Sequence, residues 1–138
     1  MQNNLIKAII KEPYKKAIVS EISNELKPLQ DIVGGYIEVV PFPNVDGVDI
    51  IVNEEGKIHK LQGNLFLPEY QDCVVGTCVI ASYNDEGDFK SLSDKQIKQV
   101  NDYIENFQIE KDYDLYDDFE ILNEIMNRKM KELNSEME

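Results

Sequence analysis

Short apolar runs stopped by glycine, asparagine and glutamate set what this chain can fold into. Gly34-Gly35-Tyr36-Ile37-Glu38-Val39-Val40 opens the series. Val52-Asn53-Glu54-Glu55-Gly56-Lys57 closes a second run, an isolated Asn64 follows, and Val74-Val75-Gly76-Thr77-Cys78-Val79-Ile80 is the third. β-Branched residues fit a pleated, half-buried surface, while glycine and asparagine accept turn geometries. The pattern specifies a sheet with a few polar groups at its edges. By itself it names no reaction.

With 138 residues, 42% of them hydrophobic and 30% charged, the chain is long enough for one domain with a real core. No apolar run approaches the roughly 20 residues that span a bilayer. Met1-Gln2-Asn3-Asn4-Leu5 lacks the basic start and apolar core of a signal peptide, so a cytosolic protein with no membrane partner is expected. Cys73 and Cys78 have no second pair, and His59 is the single histidine. Two buried free thiols fit that inventory better than a zinc site. No metal and no cofactor is expected.

The net charge of −13 is unevenly spread. Residues 1–27 are mildly basic, with Lys7, Lys11, Lys15, Lys16 and Lys27 outnumbering Glu12, Glu21 and Glu25. Residues 102–124 carry nine carboxylates against Lys111. Such an end repels a phosphate backbone, which argues against direct nucleic-acid binding. An acidic surface that imitates nucleic acid, or one that only keeps the protein soluble, stays open.

Along the chain, Leu5 to Ile10 reads as a strand broken by Pro13, and Ala17-Ile18-Val19 as a second. Ile22, Leu26, Leu29 and Val33 recur at helical spacing; Pro28 suits a first turn and Gly34 a stop. Tyr36 to Val40 and Val48 to Val52 form a hairpin around Asn44 to Gly47. Asn64 to Asp72 reads as irregular, and Cys73 to Ser82 as one central strand with Gly76 allowing a bulge or a close approach. Phe89 adds a brief strand. Ser93-Asp94-Lys95-Gln96 is a capping-box helix start, followed by Ile97, Val100, Ile104 and Phe107 on one face. The acidic stretch 110–118 should be exposed. Phe119, Leu122, Met126, Met130 and Leu133 then mark a last amphipathic helix.

The ordered set Leu29 to Val40, Asn53 to Lys57, Asn64 and Val75 to Val79, with Leu92-Ser93-Asp94 before a helix, resembles the family catalogued as domain of unknown function 3846. The resemblance spans about residues 5–107. Members of that family occur in bacteriophages, plasmids and mostly Gram-positive hosts. It implies a phage or mobile-element accessory protein, working in the cytoplasm of a bacterial host cell, and it implies no activity.

The expected fold is α+β, a mixed and mainly antiparallel sheet packed by two to three helices. Residues 1–108 form the family-like core. Residues 109–138 form an acidic segment and a helix docked on that core or on a partner, a second copy included. Tyr36, Asn53, Lys57, Asn64 and Thr77 are the candidate ligand-binding residues, since tyrosine and asparagine can stack on and read a base and lysine can meet a phosphate. Their plain alternative is turn and sheet-edge structure. Glu38 with Glu54-Glu55 lacks the defined spacing of a catalytic carboxylate pair, and His59 lacks a placed nucleophile, so no catalytic residue is assigned. Gly34-Gly35 either meets an anion or simply ends a helix. The leading expectation is a non-enzymatic counter-defence protein that sequesters a small nucleotide-type immune signal. An acidic inhibitor or DNA mimic acting on a host protein is the alternative. A housekeeping interaction module is the third.

Overall fold

A chain whose strands must bury both faces needs cover on two sides, and this one supplies it from different helices. The computed structural model describes residues 4–110 and 119–137. Its strands are β1 (Leu5–Lys11), β2 (Ile18–Ser23), β3 (Ile37–Pro41), β4 (Val48–Asn53), β5 (Gly63–Leu67), β6 (Asp72–Val75), β7 (Cys78–Tyr83) and β8 (Phe89–Lys90). Its helices are α1 (Leu26–Val33), α2 (Asp94–Phe107) and α3 (Phe119–Met137). The main sheet runs β2-β1-β7-β4-β3, with β8 on the end of β7. Every pairing is antiparallel. β5 and β6 form a separate antiparallel hairpin. The fold is α+β.

Strand periodicity sorts the core into two layers. In β7, Val79 and Ala81 face α1 together with Ile6, Ala8, Ile51, Leu29 and Val33. Cys78 and Ile80 face the other way, among Ile9, Ile50, Leu65, Val74, Val100 and Ile104, under α2 and the β5–β6 hairpin. β5 is buried along its whole length because it has neighbours on both faces. Leu65 and Leu67 join the α2 layer, while Phe66 packs with Phe107, Ile109, Leu122 and Met126. α3 therefore rests on its own chain. Leu122 and Met126 are each 1% exposed, and burying such side chains contributes about 2 kcal/mol apiece.

The helix ends follow local chemistry. Pro28 sits in the first turn of α1, where a missing N–H costs nothing. Gly34, at φ 84°, stops the helix. At α2 the capping box forms, with Gln96 N donating to Ser93 Oγ at 3.1 Å and Ser93 N donating to Gln96 Oε1 at 2.9 Å.

Two segments differ from expectation. Residues 73–82 are not one strand. Gly76, at φ 74°, breaks the run, and its N–H donates to Gln62 O at 2.7 Å. At that φ an L side chain is strained, and Leu61 Cδ1, 2.7 Å from where a Cβ would sit, would have to move, so the position favours glycine. Cys73 thus belongs to the small hairpin and Cys78 to the main sheet. Both thiols are free. Residues 64–72, read as irregular, hold most of β5 and a 3₁₀ turn over Pro68–Tyr70. Burial on both faces erased the alternation that marks a half-exposed strand. Of the acidic stretch 110–118, Glu110 is exposed and the remainder lies outside the described residues, as does the side chain of Phe119.

Candidate functional site

α1 must end somewhere, and its last carbonyls need donors. Asn53, the final residue of β4, supplies one. Its Nδ2 donates to Val33 O at 3.3 Å, and its Oδ1 accepts from Glu55 N at 2.8 Å. Asn53 is 9% exposed and ties the helix end to the turn after β4. Gly35 lies flat against it, where a Cβ would come within 3.0 Å of Nδ2. Glu54 N donates to Tyr36 O at 2.8 Å, which extends the β3–β4 ladder to the neck of the turn.

This junction frames an open cleft of about 590 Å³. One wall is the α1 face carrying Lys27, Gln30 and Asp31, and the other is the turn carrying Glu55 and His59. Tyr36 stands on the rim, 68% exposed. Lys27 Nζ and Asp31 Oδ1 lie 2.6 Å apart, one helical turn along α1. His59 Nε2 and Glu55 Oε2 lie 3.1 Å apart, brought together by His59 N donating to Glu55 O. Exposed pairs of this kind add little stability, and they hold the four side chains in place along the walls.

On the other side of Asn53 lies a groove of about 310 Å³, between the β3–β4 edge and the β5–β6 hairpin. Val40, Val52, Leu67 and Val74 make it mainly apolar, with Glu38 and Glu54 also on its lining. Lys57 lines this groove rather than the cleft and pairs with Asp72.

Asn64 is elsewhere altogether. It is 0% exposed, and its Nδ2 donates to Lys11 O and to Gly76 O, both at 2.8 Å. Its Oδ1 accepts from Lys11 Nζ at 3.0 Å. Lys11 is itself 0% exposed and also donates to Glu12 O at 2.8 Å. Burial pushes the Lys11 ammonium below the usual lysine range, against the pull of Cys78 and Glu12. Cys78 Sγ lies 3.8 Å from Asn64 Nδ2, and burial pushes its thiol up to about 12. Asn64 has both donors engaged inside the protein, so it is a core residue. Thr77 is half-buried at the β6–β7 break.

The five candidates therefore do not converge. Tyr36 and Asn53 share the cleft, Lys57 meets Asn53 across the groove, and Asn64 and Thr77 stand apart. Lys27, Gln30 and Asp31 were missed as wall residues. The i, i+4 spacing of Lys27 and Asp31, directly before Gly34-Gly35, was the available signal. Lys11 was also missed, since a lysine in an alternating strand reads as solvent-facing. Gly34 and Gly35 both donate to Gln30 O, at 2.8 and 3.1 Å, which is a helix stop and not an anion seat.

Nucleophilic chemistry finds little support in the thiols. Burial, reinforced by Asp72 and opposed by Lys57, pushes Cys73 up to about 12 as well, so both cysteines stay protonated at neutral pH. Among the described residues no three His, Cys, Asp or Glu side chains group to hold a metal ion, and no helix is long and apolar enough to cross a membrane.

Comparison with known proteins gives one match. Residues 6–108 match the family described as Domain of unknown function (DUF3846). No curated protein and no solved structure matches the chain.

Proposed function

We propose that this chain, which belongs to the DUF3846 family, is a non-enzymatic binding module whose α1 cleft takes up a small ring-bearing molecule of nucleotide type. The observation that carries this reading is Tyr36, an aromatic ring left 68% exposed on the rim of a 590 Å³ cleft. Water is a poor neighbour for such a ring, and a planar ligand is a good one. The cleft is close to the size of small-molecule sites, and its polar groups are fixed on a helix and a tight turn. Binding rather than turnover fits the chemistry described above, because the thiols are held protonated and the buried lysine is sealed in the core. In a phage or mobile element, sequestering an immune signal is the use such a module would serve.

Calorimetric titration of a panel of nucleosides and nucleotides tests the proposal. We expect at least one member to bind, and Tyr36→Ala to weaken it about tenfold, the scale of one lost stacking contact. Silence across the panel would remove the reading.

The acidic-inhibitor alternative rests on Asp102, Glu105, Glu120 and Glu124, all exposed on α2 and α3. Most of the acidic stretch between the helices lies outside the described residues, so the cleft is the better-supported site. A host protein captured in low salt and released in high salt, with the cleft variant still active, would favour the acidic surface.

A further inference from the structure

We infer that the α1 cleft receives the uncharged, N–H-bearing face of a planar heterocycle and turns phosphate away. This rests on the binding reading above and adds the chemistry of the ligand. Phosphate seats are made of converging backbone N–H groups and unpaired cations. At the helix stop and the turn that frame this cleft, five backbone donors are engaged internally. Gly34 N and Gly35 N donate to Gln30 O, Glu54 N to Tyr36 O, Glu55 N to Asn53 Oδ1 and Gly56 N to Asn53 O. The wall runs along α1 from Lys27 in its first turn to Gly34 at its stop, and at that stop the helix dipole is negative and disfavours an anion.

The cations are likewise committed. Lys27 faces Asp31 and His59 faces Glu55, each within ion-pair distance. With the histidine counted neutral, these four side chains sum to one negative charge, inside a chain of net −13. That field repels a polyphosphate before contact. What remains on offer is a set of acceptors and one π-face. A carboxylate has about four lone-pair sites, so Asp31 and Glu55 keep acceptor capacity beyond their ion pairs. Gln30 adds an amide that both donates and accepts, and Tyr36 adds the stacking surface. A neutral nucleobase matches this set through its amino and imino N–H groups. Any phosphates it carries must point out of the cleft.

The test compares each nucleoside with its own 5′-triphosphate, titrated calorimetrically against the full chain at low and high salt. We expect adenosine, guanosine or cytidine to bind about tenfold more tightly than its triphosphate at low salt, with the gap closing as salt screens the charges. Asp31→Asn combined with Glu55→Gln should weaken the nucleoside, by removing acceptor sites, and narrow the gap, by removing two negative charges; both side chains are largely solvent-facing, so the thermal melt should stay unchanged. A triphosphate that binds as tightly as its nucleoside, or more tightly, overturns this inference and leaves the binding module standing. A nucleoside whose affinity ignores Tyr36→Ala binds outside the cleft and overturns both. So does the absence of binding by any nucleoside or triphosphate.

Discussion

Two asparagines from the same motif set end in opposite situations. Asn64 is sealed in the core, with every donor engaged by Lys11 and Gly76 carbonyls. Asn53 sits at the rim of an open cleft, tying a helix end to a turn. Both are short amides beside glycine-rich segments, and both were candidates to read a ligand. The backbone around them makes the difference. Around Asn64, two carbonyls and a buried ammonium converge, and the amide serves all three by facing inward. Around Asn53 there was one orphan carbonyl and one turn N–H, which left the wall beyond it free for something else.

The hardest way to break this contrast is to remove Asn64. Asn64→Ala takes one of two acceptors from the buried Lys11 ammonium and the amide donors from two carbonyls, which should cost about 3–5 kcal/mol in chemical denaturation. If the variant melts like wild type, Asn64 is not the core residue described here. The same variant, in its folded fraction, should keep full ligand affinity.

Alkaline pH gives a second separation. Cys73 and Cys78 are raised from 9.0 to about 12 by burial, and Tyr103 is raised too, by burial and by Glu69. A raised folded value means stability that is whole below the ordinary value and is lost as pH climbs toward the folded one. Lys11, lowered by burial, works the other way, since its folded form sheds a proton more readily than the unfolded chain. Between about pH 9 and 10 the two cysteines act against Lys11, with Tyr103 joining above 10, and the net loss should be about 1–2 kcal/mol. Thermal melts across that range check it, and a melting temperature that rises would contradict the sign.

Gly35→Ala probes the rim. Its new Cβ would press on Asn53 at 3.0 Å from Nδ2 and 3.2 Å from Oδ1. We expect a loss of about 1–2 kcal/mol, because the amide is tethered at both ends and has little room to give. Ligand affinity should fall with it, unlike the Asn64 case. The smallest effect belongs to Tyr36→Ala, which should shift stability by no more than about 0.5 kcal/mol while it weakens binding. A large stability loss there would make Tyr36 a packing residue and remove the main support for the cleft.

Much of the frame was legible from residue pattern. β3 and β4 pair as a hairpin about the turn over Asn44 to Gly47, and α2 starts directly after its N-cap Ser93 as the capping box requires. Pro28 and Gly34 bracketed α1 correctly. β5 was not legible, because a strand covered on both faces has no alternation to show. Gly76 read as a bulge or a close approach; the close approach is there, from Leu61, but the end of the strand was not legible, because the residue that comes near is set by the tertiary fold. The candidate site was half legible. Tyr36 and Asn53 are local to their turn, but the partners of Asn64 come from 53 residues away at Lys11, a separation no local pattern reports.

The strand order carries a consequence for how the protein is made. β7 lies between β1 and β4, pairing Ile80 with Ile9 on one side and with Ile50 on the other. During synthesis β1–β2 and β3–β4 can each close as hairpins soon after they emerge. Their shared partner is still inside the ribosome. Until residue 83 is released, two apolar half-sheets wait with bare edges, and each edge is a template for the wrong strand. The long loop that must close before β7 is seated makes this the slow step of folding. A translational pause that leaves β1 to β4 outside the exit tunnel and β7 within it should therefore favour aggregation, and a pause after β7 has emerged should not.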